Sequence, residues 1–174
     1  MSAMDEAEAY DWGSFDIYFY YDAPLLRVWD SWTTANGLCS FLLERCTSTD
    51  EAGNPIDETV TFVADGRYHW GWRQGIELEG RYLAVEPEKH VAFTFGSMRV
   101  DVRFDDTESG VRVHLHQSAI GPTDANRVGG HLNCRSCWIF FMTNLVSVLT
   151  TGVDLRHGDA ERVSSMEVGF VPAE

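Results

Sequence analysis

Cationic side chains are scarce in this chain, and lysine is nearly absent. There are 13 Lys and Arg residues against 27 Asp and Glu residues, which gives a formal net charge of −14. Lys89 is the one lysine. A surface this acidic repels phosphate groups, so we predict neither nucleic-acid binding nor attachment to an anionic membrane. The bias against lysine is typical of both a salt-rich cytoplasm and a GC-rich genome, and both explanations remain open.

Long apolar stretches are also missing, and this absence bears on location. No run approaches the roughly 18 consecutive apolar residues that a transmembrane helix needs. Residues 1–11 carry four acidic side chains and no apolar block, so we expect no export signal and a cytoplasmic location. In that compartment the four cysteines are expected to be reduced thiols.

The remaining composition is that of a folded domain. Hydrophobic residues make up 44% of the chain and aromatic residues 13%, which excludes a disordered, collagen-like or coiled-coil protein. A length of 174 residues suits one hydrophobic core. We predict an acidic N-terminal arm over residues 1–14, one domain over residues 15–152 and a C-terminal tail over residues 153–174.

The first part of the domain is predicted to hold one strand and two short helices. Alternating apolar residues over Phe15–Tyr21 indicate a strand with one buried face. Apolar residues at helical spacing predict helices over residues 25–32 and 35–43, with Asp22 as a cap before Pro24. Residues 48–57 have the composition of a polar loop.

Residues 58–119 are predicted to form a meander of antiparallel strands. Apolar and polar residues alternate there, which is typical of a sheet with one buried and one solvated face. Turn residues such as Asp65 and Gly66 separate the alternating segments. The predicted strands cover residues 59–63, 67–72, 76–85, 91–95, 100–104 and 111–115.

The spacing of apolar residues then changes from two to 3.6, which predicts one long helix. It is expected to begin near Asp124, to be disturbed at Gly129 and Gly130, and to end at Gly152. Its apolar stripe consists of Trp138, Phe141, Met142, Leu145, Val148 and Leu149. No other segment is long enough to cover the sheet, so the predicted fold class is α+β, with an antiparallel sheet packed on one long C-terminal helix.

This order of elements resembles the helix-grip fold of the START/Bet v 1-like (SRPBCC) superfamily. More narrowly, it resembles bacterial homologues of the heat-shock protein 90 ATPase activator. The resemblance is carried by residues 23–29 (APLLRVW), 33–38 (TTANGL), 65–68 (DGRY), 78–80 (LEG), 85–87 (VEP) and 91–95 (VAFTF), and by Cys137, Trp138, Leu145, Leu149 and Gly152.

The resemblance implies a sheet that curves around the long helix and a cavity between them. Superfamily members use this cavity for apolar small molecules, and some are cyclases or hydrolases. Three functions follow as hypotheses: a binding protein for an apolar or aromatic ligand, an enzyme of the same fold, and a protein-interaction module of the chaperone-activator kind. The family offers no common catalytic motif, so no catalytic residue and no cofactor is predicted.

Aromatic and apolar residues on the buried faces of the strands and the long helix are the candidate ligand-binding set. Buried Tyr and Trp side chains need partners for their hydroxyl and indole groups, which a lined cavity supplies more readily than a dry core. Core packing and cavity lining are both open for these residues. The set is Tyr68, Trp70, Trp72, Tyr82, Phe93, Phe95, Cys134, Trp138, Phe141 and Met142.

Two constellations resemble metal sites, but we predict no metal. Cys134 and Cys137 lie inside the predicted helix, where His131 would be a third zinc ligand and no fourth is evident. His114 and His116 alternate with apolar residues on one strand, so they face solvent. They would hold a metal only with a third ligand from a neighbouring strand.

The long helix carries apolar residues outside its main stripe, including Ile139, Phe140 and Val146. Such residues need a cover. The tail offers Met166, Val168 and Phe170 at the alternating spacing of a strand. Either this tail docks on the helix or a second subunit does, and of these we favour a homodimer.

Overall fold

Seven strands form one antiparallel sheet in a computed structural model that describes residues 10–73 and 75–168. Neighbours in the sheet follow the order β1-β7-β6-β5-β4-β3-β2. Strands β2 to β7 are therefore each adjacent in the sheet to their neighbours in the chain, whereas β1 pairs with β7 and lies at the opposite edge from β2. The strands are β1 (Phe15–Tyr21), β2 (Arg45–Thr49), β3 (Arg67–Gly71), β4 (Glu77–Glu86), β5 (His90–Phe95), β6 (Met98–Thr107) and β7 (Gly110–Ser118).

The helices lie in two groups, between β1 and β2 and after β7. Helices α1 (Leu25–Thr33) and α2 (Ala35–Phe41) follow the first strand. After β7 come α3 (Asp124–Asn126), a π-helical segment (Arg127–Asn133), the long helix α4 (Cys134–Thr151), a 3₁₀ turn (Ala160–Arg162) and α5 (Ser165–Val168). The disturbance predicted at Gly129 and Gly130 is this π segment, and Gly152 ends α4 in the left-handed conformation at φ 75°.

The buried face of the sheet packs on α1, α2 and α4, as the alternation of apolar residues predicts. Along β7, Val111, Val113 and Leu115 are buried, whereas the residues between them are half-buried on the other face. The stripe residues Trp138, Phe141, Met142 and Leu145 are buried on α4. The sheet curved around one long helix, with two short helices after the first strand, confirms the predicted helix-grip fold.

A close approach fixes the corner between α1 and α2. Thr34 ends α1 and caps α2, because its hydroxyl accepts a hydrogen bond from the Gly37 amide at 2.9 Å. A Cβ atom on Gly37 would lie 2.0 Å from the Asp30 carbonyl oxygen, so only glycine fits there. The predicted cap of α1 is wrong: Pro24 holds the cap position, and no side chain caps this helix.

Two strand assignments from the sequence are wrong, and they are connected. Residues 59–63 form turns and extended loop instead of a strand. The predicted second helix ends at Phe41 instead of residue 43, and β2 extends into the first two residues of the predicted polar loop over residues 48–57. β2 pairs with β3 and occupies the sheet position that residues 59–63 would need. It was missed because Arg45–Thr49 is short, polar and at the sheet edge, where strands lack a regular apolar face.

The C-terminal tail docks on the long helix in a different form from the one predicted. Residues 165–168 form the short helix α5, not a strand, and α5 packs against α4. Ile139, Phe140 and Val146 are half-buried and pack against the core. Phe170 lies outside the described residues.

By length and composition, the helical stretch Asp124–Thr151 is apolar enough to cross a membrane, with a mean hydropathy of 1.2 over 18 residues. This is weak evidence of a span, because the central helix of a folded domain passes the same test. Here Trp138, Met142 and Leu145 pack in the core against the sheet and α2. These contacts make it the central helix of the fold.

A polar clasp ties the chain after α4 to the end of α2. The buried Asn144 amide donates to the Phe41 carbonyl at 2.9 Å and accepts from the Leu155 backbone amide at 2.6 Å. Arg156 donates to the carbonyl oxygens of Leu43 and Cys39 at 2.8 and 2.9 Å. Asp154 bridges the two, since it binds both the Asn144 amide and the Arg156 guanidinium.

We expect Arg156→Gln to lower the stability of the domain and to change its dependence on pH. Burial opposes ionisation of Asp154, but its interactions with Arg156, together with the hydrogen bond from Asn144, outweigh this and hold the pKa of Asp154 below its ordinary value of 3.8. A lowered carboxyl pKa stabilises the fold above pH 3.8, and this stabilisation is lost as pH falls through the folded-state pKa. Arg156→Gln should therefore destabilise at pH 7 by about 1–3 kcal/mol and less at pH 3, measured by urea unfolding. Equal losses at both pH values would contradict this role for Asp154.

Candidate functional site

An apolar cavity of about 300 Å³ opens between one end of the sheet and the N-terminal half of α4. Its walls come from the β3–β4 connection, the β5–β6 hairpin, the first two turns of α4, the residue after α2, and α5. The lining residues are Leu42, Trp72, Ile76, Glu77, Leu78, Phe95, Gly96, Met98, Asn133, Cys134, Cys137, Trp138, Phe141 and Glu167.

The ten candidate ligand-binding residues divide into two layers. Trp72, Phe95, Cys134, Trp138 and Phe141 line the cavity. Tyr68, Trp70, Tyr82, Phe93 and Met142 do not line it, and each is at most 3% exposed in the packed core below. Strand alternation and helix periodicity place both layers on the same side of the sheet. Neither pattern shows whether a residue on that side lies in the packed core or beside the cavity.

Stacked aromatic rings fill the core under the cavity. The Tyr68 ring stacks on the Trp70 ring with centroids 4.1 Å apart, and the Trp70 and Phe93 rings meet edge to face at 5.0 Å. The Tyr68 hydroxyl donates to the Thr94 carbonyl by passing over Gly80, where a Cβ atom would collide with it. The lack of a side chain at Gly80 therefore lets β3, β4 and β5 pack around the Tyr68 ring.

Three buried polar groups among the described core residues have no hydrogen-bond partner of normal geometry. They are the Trp32 and Trp70 indole nitrogens and the Tyr82 hydroxyl, which lies beside Trp70. Burial raises the pKa of Tyr82 well above its ordinary value, so the phenol stays neutral. The sequence left core packing and cavity lining both open for Trp70 and Tyr82, and neither residue lines the cavity.

Gln117 positions Trp138, and the sequence analysis did not identify it. The Trp138 indole donates to the Gln117 side-chain oxygen at 2.8 Å, and the Gln117 amide donates to the Gly130 carbonyl in the π segment at 3.0 Å. Gln117 is fully buried. The sequence does contain the evidence for this role. Gln117 continues the inward-facing positions Val111, Val113 and Leu115, and a polar side chain at such a position must find hydrogen-bond partners inside the protein.

The cavity thiols are poor nucleophiles. Burial raises the pKa of Cys134, and burial together with the neighbouring Cys134 raises the pKa of Cys137 to about 11. A thiol reacts through its thiolate, which is rare at neutral pH for such groups. All four cysteines are unpaired, so none forms a disulfide.

His131, the third residue of the possible zinc set with Cys134 and Cys137, makes other contacts. Its ring binds the Tyr10 hydroxyl at 2.7 Å and the Trp12 carbonyl at 3.2 Å.

Charged groups at the mouth of the cavity are already paired. Glu77 binds Arg45 at 3.0 Å and His69 at 3.3 Å. The Glu167 carboxylate accepts hydrogen bonds from the amide and hydroxyl of Ser164. The cavity thus combines an apolar interior with a partly acidic rim.

We expect the Trp138–Gln117 hydrogen bond to appear as a coupling free energy. Trp138→Phe leaves the Gln117 oxygen buried without a donor, which should cost about 1–3 kcal/mol. In Gln117→Met the indole loses its acceptor at similar cost. The double variant should be less destabilised than the sum of the two single variants, by about 1 kcal/mol in chemical unfolding. Strict additivity would show that the hydrogen bond contributes no stability of its own.

Comparisons with known proteins agree with this architecture. Residues 22–150 match the family model described as Activator of Hsp90 ATPase homolog 1-like protein. No curated protein matches the chain. The structure of SSP2350 from Staphylococcus saprophyticus is similar at a TM-score of 0.66 and 17% identity, covering 84% of this chain and 98% of that one.

Two further solved structures share the fold. The Aha1 dimer from Colwellia psychrerythraea has a TM-score of 0.59 and 17% identity, covering 80% of this chain and 97% of that one. DynU16, from the dynemicin biosynthetic locus, has a TM-score of 0.65 and 14% identity, covering 83% of this chain and 50% of that one. The family match extends over most of the domain, and the protein belongs to the Activator of Hsp90 ATPase homolog 1-like family.

Proposed function

We propose that this protein binds an apolar or aromatic small molecule in the cavity between the sheet and α4. The observation that carries the proposal is the apolar character of the cavity lining. Its polar side chains come from Glu77, Asn133 and Glu167, and Leu, Ile, Met, Cys, Gly and aromatic residues form the rest. A volume of about 300 Å³ is at the small end of ligand pockets, so the ligand is compact. We propose that the ligand is met in the cytoplasm.

Binding is better supported than catalysis. An enzyme of this fold would need an activated acid, base or nucleophile in the cavity. Among the described lining residues, Cys134 and Cys137 have shifted pKa values, and both are shifted away from the reactive thiolate. Neither thiol therefore offers a cyclase or hydrolase reaction an activated nucleophile.

Binding is also better supported than a role limited to protein contacts. A chaperone-activator module would present a flat apolar patch without a cavity. Here the apolar surface is concave and continues inward to Trp138 and Phe141. The support for a chaperone partner is the description of the matched family, and no contact surface in the described residues adds to it.

We expect the neutral naphthalene dye prodan to bind the parent protein with a saturable blue shift of its emission. Leu78→Trp places a larger side chain in the cavity and should weaken dye binding at least about tenfold, which corresponds to about 1.4 kcal/mol. Leu83→Trp is the matched control, since Leu83 lies on the same strand, is 38% exposed and is not part of the lining. Native mass spectrometry of freshly purified protein should show a bound small molecule that Leu78→Trp lacks. Unchanged dye binding in Leu78→Trp would refute this location.

A homodimer is a second proposal, and it concerns assembly. The Colwellia psychrerythraea protein of this fold is a dimer. The π segment of this chain exposes two apolar side chains one turn apart, Val128 and Leu132, at 49% and 41%. Because α5 already covers part of α4, we place the contact with a second copy on this pair.

Sedimentation velocity should show a concentration-dependent dimer of the parent protein. The double variant Val128→Ser and Leu132→Ser should shift the population toward monomer, because the contact loses its apolar area. Leu26→Ser is the control, since Leu26 is 56% exposed on α1 and lies outside the pair. A parent protein that stays monomeric at all accessible concentrations would rule the dimer out.

A further inference from the structure

Three metal-ligating side chains from two neighbouring strands meet on the outer face of the sheet, away from the cavity. In the β1–β7 register, Asp16 lies opposite His116 and Tyr18 lies opposite His114. Because side chains alternate along a strand, Asp16, His114 and His116 share one face. The sequence left the two histidines without a third ligand, and the pairing of β1 with β7 supplies it.

The ligand atoms of this cluster converge on one point. His114 Nε2 lies 2.6 Å from Asp16 Oδ1, and His116 Nδ1 lies 2.9 Å from the same oxygen. All three ligand atoms lie within 4.8 Å of one another. Zinc bonds of about 2.0–2.2 Å place the ligand atoms of a tetrahedral ion roughly 3.3–3.6 Å apart. An outward movement of less than about 1 Å by the Asp16 carboxylate brings its oxygen to that spacing from both nitrogens, and its side chain is half exposed. The two imidazole nitrogens lie within 4.8 Å of each other, so a small rotation of the rings completes the arrangement.

The neighbours of the cluster orient one of its histidines and carry charges of both signs. The His114 ring stacks on the Tyr18 ring with centroids 4.4 Å apart and an interplanar angle of 10°, which orients its Nε2. Of the nearby guanidinium groups, Arg112 is neutralised by Asp105 at 3.1 Å and Arg99 by Asp101 at 2.7 Å. On β6, Arg103 lies opposite His114 and Asp101 lies opposite His116. The net charge of −14 draws cations to the surface.

We propose that Asp16, His114 and His116 form a Zn²⁺ site on the outer face of the sheet, with a water molecule as fourth ligand. Imidazole suits zinc, and two imidazoles with one carboxylate are a known ligand set for it. Bound zinc would replace the hydrogen bonds to Asp16, and the second nitrogen of each ring would carry its proton. The prediction of no metal site rested on a missing third ligand, and Asp16 removes that reason.

The test is Zn²⁺ titration of the full reduced chain by calorimetry, after treatment with chelator. We expect one ion per chain. His114→Gln, His116→Gln and Asp16→Asn should each weaken binding at least about tenfold, since even an outer-shell partner is typically worth about 10–100-fold. His69→Gln is the control, because His69 is an exposed histidine paired with Glu77 on the same sheet. Binding that survives the double variant His114→Gln and His116→Gln would overturn the proposal.

Two measurements on the parent protein separate this site from the cysteines and need no variant. Co²⁺ in place of Zn²⁺ should give visible d–d absorption without a thiolate charge-transfer band. Histidine NMR should show Zn²⁺ shifting the signals of two of the six histidines. A thiolate band, or the absence of saturable binding at sub-millimolar Zn²⁺, would also overturn the proposal.

Discussion

The hydrogen bond from the Trp138 indole to the Gln117 amide joins the sheet to the long helix at the place where the cavity opens. Gln117 also holds the Gly130 carbonyl, so it links β7, the π segment and α4. Within the π segment the backbone departs from α-helical spacing, and a side-chain donor from the sheet satisfies one of its carbonyl groups. This contact sets the position of the Trp138 ring, which forms the boundary between packed core and cavity.

The cavity exists because the side chains between the sheet and α4 become smaller toward the start of the helix. Near the centre, Trp70, Phe93 and Met142 occupy that space fully. Toward the start of α4 the facing helix residues are the small Cys134 and Cys137, and the opposing hairpin turns at Gly96. Small side chains opposite a turn leave volume that the neighbouring aromatic rings do not reach.

The two faces of the sheet offer different chemistry. The inner face is apolar and leads to the cavity, where the thiols are held as neutral groups. The outer face carries ion pairs and the Asp16, His114 and His116 cluster. Since the strands separate these faces, the proposed ligand and the proposed zinc ion would not touch, and each can be tested without disturbing the other.

The sequence by itself determined which residues face inward and which fold results. Alternation along residues 67–115 and the 3.6-residue period of α4 predict the sheet, the helix and the shared side of all ten candidate residues, because both periods follow from backbone geometry. The tertiary structure decided the rest: which five of the ten line the cavity, that β2 takes the place expected for residues 59–63, and that the tail forms α5. It also decided that Asp16 meets two histidines about a hundred residues away. A periodic pattern specifies a face, whereas depth, strand neighbours and long-range partners depend on register and packing between distant segments.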